Sequence, residues 1–499
     1  MVIPMKKSGL LPLLLAFALL AGCAPVTETP SPGPSPTESA AAPAPTPEPT
    51  PTPELVDFRE FLDGVNAARK AVMTQAEPID VSAYTPDFHE QNHTFTEEEM
   101  ERITTAHEPG WRLTLEDVLD DVDAFFLLLQ TTYGAYYYFG GDGVFLPIRD
   151  AVKEELSAIR PLRPGNREDI FYLWNLEDIL YKRLSPVLVD GHFRIGRYAP
   201  RDTFAKYMYY VPDLYLDSMA GVENPDYLKP TIGPDGRICY WYAALSHDGS
   251  DLPGTLDGHS LKWQQALWAS SSDDAPAFSE SEWEGVPVLT SRSMSARSST
   301  TGPEVPEKVE ILERLAACGG EYTDSPLLIF DVRGNSGGSD SYINNWFGNW
   351  SGGTGQRRFL WSHRYSQLSC RLFSDYSADH MGTYRVYPQA GAWVERTGPV
   401  FVLQDKGVAS SGESAVVNFR TAADVLFVGG PTAGMTLVPN NWKFYLPHSG
   451  LLCYFGTGLG FFETDENRDG VGFLPDLWVE PTQAMELTQK LIEFYGLNP

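Results

Sequence analysis

The sequence predicts a mixed α/β fold, α+β overall, in which a mostly parallel sheet lies in the C-terminal part of the chain. From residue 286 onward, short apolar runs alternate with segments of helical pattern. Residues 327–332 and 400–403 are nearly all apolar, as expected of strands that are buried on both faces. A turn rich in glycine and serine follows each run, at 334–338 and at 407–412. Because parallel strands end at one edge of a sheet, both turns are expected at that edge.

The rest of the chain divides into a helical part and a part rich in short strands. Helices are expected at 58–72, 115–129, 147–159 and 168–184, where apolar residues recur at helical spacing. These helices predict an N-terminal helical subdomain over residues 56–199 that includes the turn Asp190-Gly191-His192 near its end. In residues 200–280, aromatic runs alternate with acidic loops rich in glycine and serine, which predicts a β-rich insert. Residues 281–499 then form the α/β core.

The first residues predict an exported protein. Lys6 and Lys7 precede an apolar run at 10–20, which is short for a membrane span, and Leu20-Ala21-Gly22-Cys23 follows. This pattern resembles a bacterial lipoprotein signal peptide over residues 1–22, after which Cys23 is lipidated and becomes the new N-terminus. The alternative is an ordinary signal peptide followed by an unrelated cysteine.

The segment after Cys23 predicts a tether. Residues 23–55 consist mostly of proline, threonine, serine, alanine and glutamate, a composition that cannot build a core. A semi-extended tether between a lipid and a folded body would hold that body away from a membrane. We therefore expect a protein that is exported and lipid-anchored to the outer face of the bacterial cell membrane; a glycosylated stalk is the alternative.

Composition and cysteine spacing argue against nucleic acid and metal ions as partners. The formal net charge is −29, and the sequence has no basic patch, so nucleic acid is not an expected partner. The cysteines beyond Cys23 are Cys239, Cys318, Cys370 and Cys453; none forms a CxxC pair, and no His/Cys cluster has metal-ligand spacing. We expect no metal or other cofactor. Export permits disulfides among these four, but free buried thiols are the simpler interpretation.

The turn at 407–412 places a serine between a predicted strand and a predicted helix. Ser410 suits the N-cap position, and Glu413 follows three residues later, as in a capping box. At such a turn the hydroxyl is presented outward, and the free N–H groups of the first helical turn lie beside it. That geometry suits a nucleophile that faces an oxyanion, although by itself this stretch is better explained by a helix cap.

Four segments together resemble the tail-specific, or C-terminal-processing, serine peptidases. They are 331–338 (DVRGNSGG), 407–413 (GVASSGE), 425–434 (VLFVGGPTAG) and 472–476 (GFLPD), in the order of that family. The resemblance implies a crotonase-like peptidase core and a peptide or protein substrate. It also implies that Ser410 is the nucleophile, with an oxyanion hole formed by the N–H groups of Ser411 and of Gly337 or Gly338.

The general base departs from the Ser/Lys branch of that family. The lysine expected after the third segment is replaced by Met435, whose thioether cannot accept a proton. The resemblance is closer to the branch of the tricorn core peptidase, which implies that His192 is the base, although Gly191 stands where that branch has a serine. Asp469, shortly before the last segment, is the candidate acid that supports the base.

Three alternatives follow from the same residues. Residues 465–476 fit a calcium loop of the D-x-N-x-D-G type, but Pro475 lies inside it and no helices are predicted beside it. Met435 in the lysine position also suits a non-catalytic protein that binds a peptide or an apolar ligand on the same fold. An unrelated α/β esterase is disfavoured, because Val408 and Gly412 flank Ser410 and the G-x-S-x-G elbow is absent.

Overall fold

The computed structural model describes residues 55–75, 77–89, 94–108, 110, 113–159, 171–269, 275–298 and 302–499. The signal peptide, Cys23 and all of the tether except residue 55 lie outside these residues. Within the described part, the α-helices are α1 (Phe58–Met73), α2 (Glu97–Thr104), α3 (Leu115–Thr132), α4 (Asp142–Ser157), α5 (Leu173–Leu184), α6 (Pro306–Cys318), α7 (Asp340–Trp350), α8 (Gln367–Leu372), α9 (Ser411–Phe419) and α10 (Ala484–Tyr495).

The strands lie mainly in the second half of the chain. They are β1 (Arg194–Ile195), β2 (Tyr207–Leu216), β3 (Leu228–Ile232), β4 (Ile238–Ser246), β5 (Thr255–Leu256), β6 (His259–Ser260), β7 (Gln264–Gln265), β8 (Phe278–Trp283), β9 (Val286–Ser291), β10 (Leu328–Asp331), β11 (Phe359–Tyr365), β12 (Thr383–Gln389), β13 (Val400–Gln404), β14 (Val425–Gly429), β15 (Asn441–Tyr445), β16 (Leu452–Gly456), β17 (Gly458–Phe462) and β18 (Leu477–Trp478).

A six-stranded sheet organises the C-terminal part of the molecule. Its strand order is β18-β14-β13-β10-β9-β8, and every neighbouring pair is parallel except β9 with β8. Side chains alternate across it: Phe330 and Val402 pack beneath α6, α7 and α9, whereas Ile329 and Phe401 pack against α1 and α10. Burial on both faces explains why β10 and β13 are nearly all apolar. The predicted mixed α/β fold with a mostly parallel sheet is confirmed.

The helical subdomain packs on strands from the far end of the chain. Helices α3, α4 and α5 share one apolar cluster with the β15–β16 hairpin, and β1 adds to that hairpin as a third strand. Helix α3 begins after Thr114, whose side chain accepts a hydrogen bond from the Asp117 N–H. The strand β1 begins two residues after His192, so this pairing fixes the position of the histidine turn relative to the β15–β16 hairpin.

Two predicted boundaries differ from the structure. Helix α1, assigned to the helical subdomain, packs instead on the core sheet, and Arg69 donates hydrogen bonds to the Val425 carbonyl (2.9 Å) and to Asp476 (2.7 Å). The predicted border between insert and core, at residue 280, falls inside β8, which pairs with β9 in the core sheet. The insert itself is a four-stranded antiparallel sheet in the order β3-β4-β2-β7, as its alternating aromatic pattern indicated.

One helix starts earlier than its proline suggested. Helix α4 begins at Asp142, after an entry turn made by Gly141 with φ of +56°. Pro147 therefore lies inside the helix and not at its start. The side chain of Asp142 then accepts hydrogen bonds from Gln130 and from the Tyr136 hydroxyl.

The structure describes all four cysteines beyond Cys23. Cys239, Cys318, Cys370 and Cys453 are all free in the described structure, and all are buried except Cys370, which is half-buried, so the interpretation as free buried thiols holds for three of the four. Burial raises the pKa of the Cys318 thiol to about 11.

Among the described residues, none of the helices combines the length and the apolar character needed to cross a bilayer.

Candidate active site

The nucleophile candidate lies in a strained turn at the carboxyl end of the core sheet. Ser410 connects the loop after β13 to the first residue of α9, with φ of +53° and ψ of −123°, a combination that non-glycine residues rarely adopt. A hydrogen bond from the Gly412 N–H to the Ala409 carbonyl (2.9 Å) closes the turn. Ser410 is thus the residue before the helix, as predicted, and its backbone is held in an elbow that favours an outward hydroxyl.

The glycine turn after β10 lies directly against Ser410. A Cβ atom added to Gly337 would be 2.9 Å from both the Ser410 Cβ and the Ser411 nitrogen, and one added to Gly338 would be 2.0 Å from the Met294 carbonyl. Both glycines also have positive φ, +104° and +146°. Only glycine fits at either position: at 337 it lets the backbone approach Ser410, and at 338 it lets the backbone approach Met294.

The three N–H groups predicted as oxyanion donors differ in whether they already have a hydrogen-bond partner. The Gly337 N–H donates to the Asn335 Oδ1 atom (3.0 Å) and is therefore occupied. The N–H groups of Gly338 and Ser411 make no hydrogen bond to any described residue, and the Ser411 hydroxyl donates to the Gly338 carbonyl (3.1 Å), which holds the two residues together. Of the two glycines offered by the sequence, Gly338 is the one whose N–H has no partner among the described residues, whereas the Gly337 N–H is engaged by Asn335.

Asn335 joins the two turns and was not singled out by its sequence pattern. Its carbonyl accepts the Ala409 N–H (2.9 Å), and its side-chain nitrogen donates to the Ser291 carbonyl and hydroxyl. Because Oδ1 also accepts the Gly337 N–H, this single buried residue connects β9, the glycine turn and the nucleophile turn.

The buried carboxylate of Glu413 lies under the nucleophile turn. The Glu413 carboxylate accepts hydrogen bonds from the Ser410 N–H (3.2 Å), the Thr432 hydroxyl (2.6 Å), the Gly434 N–H (2.9 Å) and the Met435 N–H (2.8 Å). Burial raises its pKa. The reach of Glu413 back to Ser410 N–H is the predicted capping contact, and it also ties Ser410 to the loop that carries Met435.

Lys406 was missed by the sequence analysis. Its ammonium group donates to the carbonyls of Thr432 (3.2 Å), Ala433 (3.2 Å) and Gly470 (2.8 Å). Burial lowers its pKa to about 8. With all three donors on backbone carbonyls, this amine holds two loops together and does not present a lone pair to Ser410.

The turn before β1 brings His192 to the same loop. A Cβ atom added to Gly191 would be 2.7 Å from the Gly434 carbonyl and from the Met435 side chain, so glycine is needed for this approach. The His192 N–H donates to Asp190 Oδ1 (2.8 Å), whose other oxygen accepts the Tyr133 hydroxyl (2.8 Å). The histidine turn therefore lies against Gly434-Met435, the same short segment whose N–H groups share the Glu413 carboxylate with the Ser410 N–H.

The environment of the His192 ring keeps it neutral. The residue is 8% exposed, and its Nδ1 atom has no hydrogen-bond partner among the described residues. Burial, together with the positive charge of Arg201, lowers the pKa of His192 to about 4. At neutral pH the imidazole is unprotonated, which is the form that can accept a proton.

Asp469 supports the histidine turn through the backbone and not through the ring. One of its oxygens accepts the Gly191 N–H (2.7 Å), and the other accepts the N–H groups of Thr436 (2.9 Å) and Leu437 (3.0 Å). None of its hydrogen bonds goes to the imidazole of His192. The sequence predicted Asp469 as an acid that supports the base, and its hydrogen bonds in the structure hold the backbone of the turn that carries His192. Burial and the nearby charge of Asp190 both raise the pKa of Asp469.

Replacement of Asp469 by alanine is expected to destabilise the protein and to lower activity together. Three buried N–H groups would lose their acceptor, and each unsatisfied group costs about 1–3 kcal/mol. Asp469→Asn keeps one carbonyl oxygen for Thr436 and Leu437, so its loss of stability should be smaller. Thermal unfolding and peptide cleavage, measured on both variants, check this; an Asp469→Ala protein with wild-type stability would contradict the positioning role.

The residues of the calcium-loop alternative face protein groups. Asn467 accepts the Asp469 N–H (2.8 Å) and donates to the Val189 carbonyl (2.8 Å), while Asp476 accepts from Arg69 and from the Phe427 N–H (2.8 Å). Within the described part of the chain, no group of three or more His, Cys, Asp or Glu side chains converges as a metal site would require. These contacts favour a structural loop that carries Asp469.

Comparison with known proteins connects this geometry to a peptidase family. The family model described as Peptidase family S41 matches residues 297–479, which include the glycine turn, Ser410 and Asp469 but not His192. Comparison of the sequence with curated proteins gives no match.

Similar solved structures share low identity with this chain. Mature CPAF has a TM-score of 0.40 and 13% identity, covering 77% of this chain and 96% of its own. The photosystem II D1 C-terminal processing protease has a TM-score of 0.34 and 13% identity, covering 73% and 93%. A lipoprotein from Streptococcus agalactiae has a TM-score of 0.36 and 13% identity, covering 79% and 99%. It is the family match that identifies residues 297–479, with Ser410 and its glycine turn, as carrying the sequence pattern of the S41 peptidases.

Proposed function

We propose that this protein is a serine endopeptidase that hydrolyses peptide bonds through an acyl-enzyme on Ser410. The observation that carries the proposal is the strained Ser410 turn with the unengaged N–H groups of Gly338 and Ser411 beside it. Two free donors next to a presented hydroxyl suit the negative charge that develops on a carbonyl oxygen under attack. The match to peptidase family S41 over the same residues supports a peptide or protein substrate.

The proposed reaction uses groups of this chain alone. The Ser410 hydroxyl attacks the scissile carbonyl carbon, and its proton passes to the neutral imidazole of His192. The N–H groups of Gly338 and Ser411 hold the oxyanion. When the C–N bond breaks, His192 returns the proton to the departing amine and leaves an ester on Ser410. Water then attacks this ester with His192 again as base, which releases the acid and restores the serine.

Two other candidates for the base are less suited to it. Met435, in the family's lysine position, has no basic atom and contributes its backbone N–H to Glu413. Lys406, four residues before the serine, uses its ammonium group to bind three backbone carbonyls. The low pKa of His192 leaves its ring free to accept a proton across the neutral range.

A second function, binding without catalysis, is favoured by one observation. The His192 Nδ1 atom has no orienting hydrogen-bond partner among the described residues, whereas a working triad has one. A fluorophosphonate probe on the full chain separates the two functions, because it reacts with an activated serine and needs no knowledge of the substrate. Labelling that is lost in Ser410→Ala supports the peptidase; a wild-type protein that neither labels nor cleaves peptides supports the binding protein.

We also propose that the peptidase works outside the cell, tethered to the membrane by lipid on Cys23. The basic start, the apolar run and Leu20-Ala21-Gly22-Cys23 support this, with residues 23–55 as the spacer. Cys23→Ala is expected to abolish incorporation of a labelled fatty acid and to move the protein from the membrane fraction to the soluble fraction. Equal membrane recovery of the variant would contradict lipid anchoring at this cysteine.

A further inference from the structure

We propose that Arg201 binds a carboxylate of the peptide substrate and so sets which peptides the site accepts. The inference rests on the proposed peptidase function and names a substrate feature for it. The carboxylate can belong to an acidic side chain or to the C-terminus of the peptide, and the test below distinguishes these sources.

The backbone of Arg201 is fixed beside the candidate site. It lies in the short helical turn Pro200–Thr203, and its carbonyl accepts the N–H groups of Phe204 (3.1 Å) and Ala205 (2.8 Å). The Lys206 N–H then donates to the Gly470 carbonyl (2.8 Å). Gly470 follows Asp469 and also accepts a hydrogen bond from Lys406. The turn is therefore attached to the loop that positions the base.

The guanidinium group of Arg201 is close to the site and lacks a strong partner among the described residues. Its Nη1 atom is 3.1 Å from the sulfur of Met435, and a thioether is a weak acceptor. Its nearest carboxylate in the described part of the chain is Asp202, at 4.0 Å from Nε, in a pair whose side chains are 44% and 64% exposed. An exposed pair at that distance contributes little. Most of its five donors thus remain available in a geometry that matches a carboxylate.

The charge of Arg201 is also felt by the groups that surround the nucleophile. It lowers the pKa of His192 and of Lys406, in both cases after the larger effect of burial. A carboxylate bound to Arg201 would neutralise this charge and raise the basicity of His192 once the substrate is in place.

Arg197 provides a matched comparison four residues earlier. Its guanidinium group is exposed to a similar degree, but it donates to Asp178 (3.0 Å) and to the Tyr198 hydroxyl (2.9 Å) and lies near Glu177. Its charge is already paired. Arg197→Gln is therefore the control for removal of an exposed arginine that does not serve the site.

The test uses internally quenched peptide pools whose central positions are randomised among uncharged residues. One pool ends in an amide, a second ends in a free carboxylate, and a third ends in an amide but carries one glutamate scanned through its positions. Wild-type protein is expected to cleave one of the carboxylate pools with kcat/KM higher than for the neutral pool by on the order of tenfold, the contribution of a charge-assisted hydrogen bond. Arg201→Gln should remove this preference, and Arg197→Gln should keep it.

Binding by a catalytically silent protein tests the same contact without turnover. Ser410→Ala protein is titrated with a fluorescent peptide from the preferred pool and with its amide or glutamine counterpart, in the presence and absence of Arg201→Gln. Tighter binding of the carboxylate peptide that disappears with Arg201→Gln supports the proposal even if the protein does not hydrolyse peptides. Equal treatment of carboxylate and neutral peptides by wild type, or an unchanged preference in Arg201→Gln, overturns it. Fluorophosphonate labelling of Ser410, which reports on the peptidase proposal, is measured separately on each variant.

Discussion

Ser410→Ala is expected to abolish labelling by a fluorophosphonate and to lower kcat/KM for peptide hydrolysis by at least about a thousandfold. The variant removes the attacking oxygen, while the turn, the N–H groups of Gly338 and Ser411, and the Glu413 contacts remain. Ser414→Ala, one turn further along α9, is the matched control because it deletes a hydroxyl from the same helix without touching the elbow. Labelling that persists in Ser410→Ala would remove this serine from the mechanism.

The strain at Ser410 gives this experiment a second, independent readout. Both serine and alanine carry a Cβ that opposes a φ of +53°, whereas glycine does not. Ser410→Gly is therefore expected to raise the free energy of unfolding by about 1 kcal/mol relative to Ser410→Ala, while both are inactive. A protein that becomes more stable as it loses its nucleophile would show that the elbow is held strained for function. Equal thermal stability of the two variants would contradict that strain.

The parts of the fold that the sequence predicted are those whose signal is local. Strands β10 and β13 are apolar on both faces, and α3 follows a threonine cap, so pattern alone locates them. Helix α1 was assigned to the wrong subdomain because its amphipathic pattern shows that it has an apolar face but not which surface covers that face. The predicted border of the insert fell inside β8 for the same reason. A local pattern can indicate a strand, but it does not show that this strand pairs with β9 and so belongs to the core sheet.

The site was predicted to the extent that motifs encode backbone geometry. Gly337-Gly338 and the Ser410 turn carry positive φ angles and close approaches that side chains cannot replace, and those demands are visible as glycines and small residues. The role of Asp469 was not visible, because its partners are backbone N–H groups contributed by Gly191 and by residues 436–437. Lys406 has no local pattern either, since its three carbonyl acceptors come from distant loops.

His192 is expected to set the acid limit of activity, and its replacement by glutamine should lower kcat/KM by about 10²–10⁴-fold, the usual contribution of a general base. Burial and Arg201 lower its pKa to about 4, so the neutral ring persists as pH falls until about that value. The acid limb of the wild-type profile should therefore lie near pH 4, well below that of an unperturbed histidine. A limb that remains near pH 6.5 would contradict a buried base.

The groups that face His192 decide how this limb should respond to substitution. They are Asp190, which accepts the His192 N–H, Asp469, which accepts the N–H of the neighbouring Gly191, and Arg201, whose charge lowers the pKa of the ring. Only Arg201 adds a resolved charge effect to that of burial, and it opposes protonation. Arg201→Gln should therefore raise the pKa of the ring and move the acid limb of kcat/KM for a neutral peptide to higher pH. His448→Gln, at an exposed site beside Asp117, should leave the limb unchanged. If Arg201→Gln lowers activity on carboxylate peptides without moving this limb, the arginine acts on the substrate alone, and burial alone lowers the pKa of His192. If the substitution also moves the limb, the charge of Arg201 couples substrate binding to the basicity of His192.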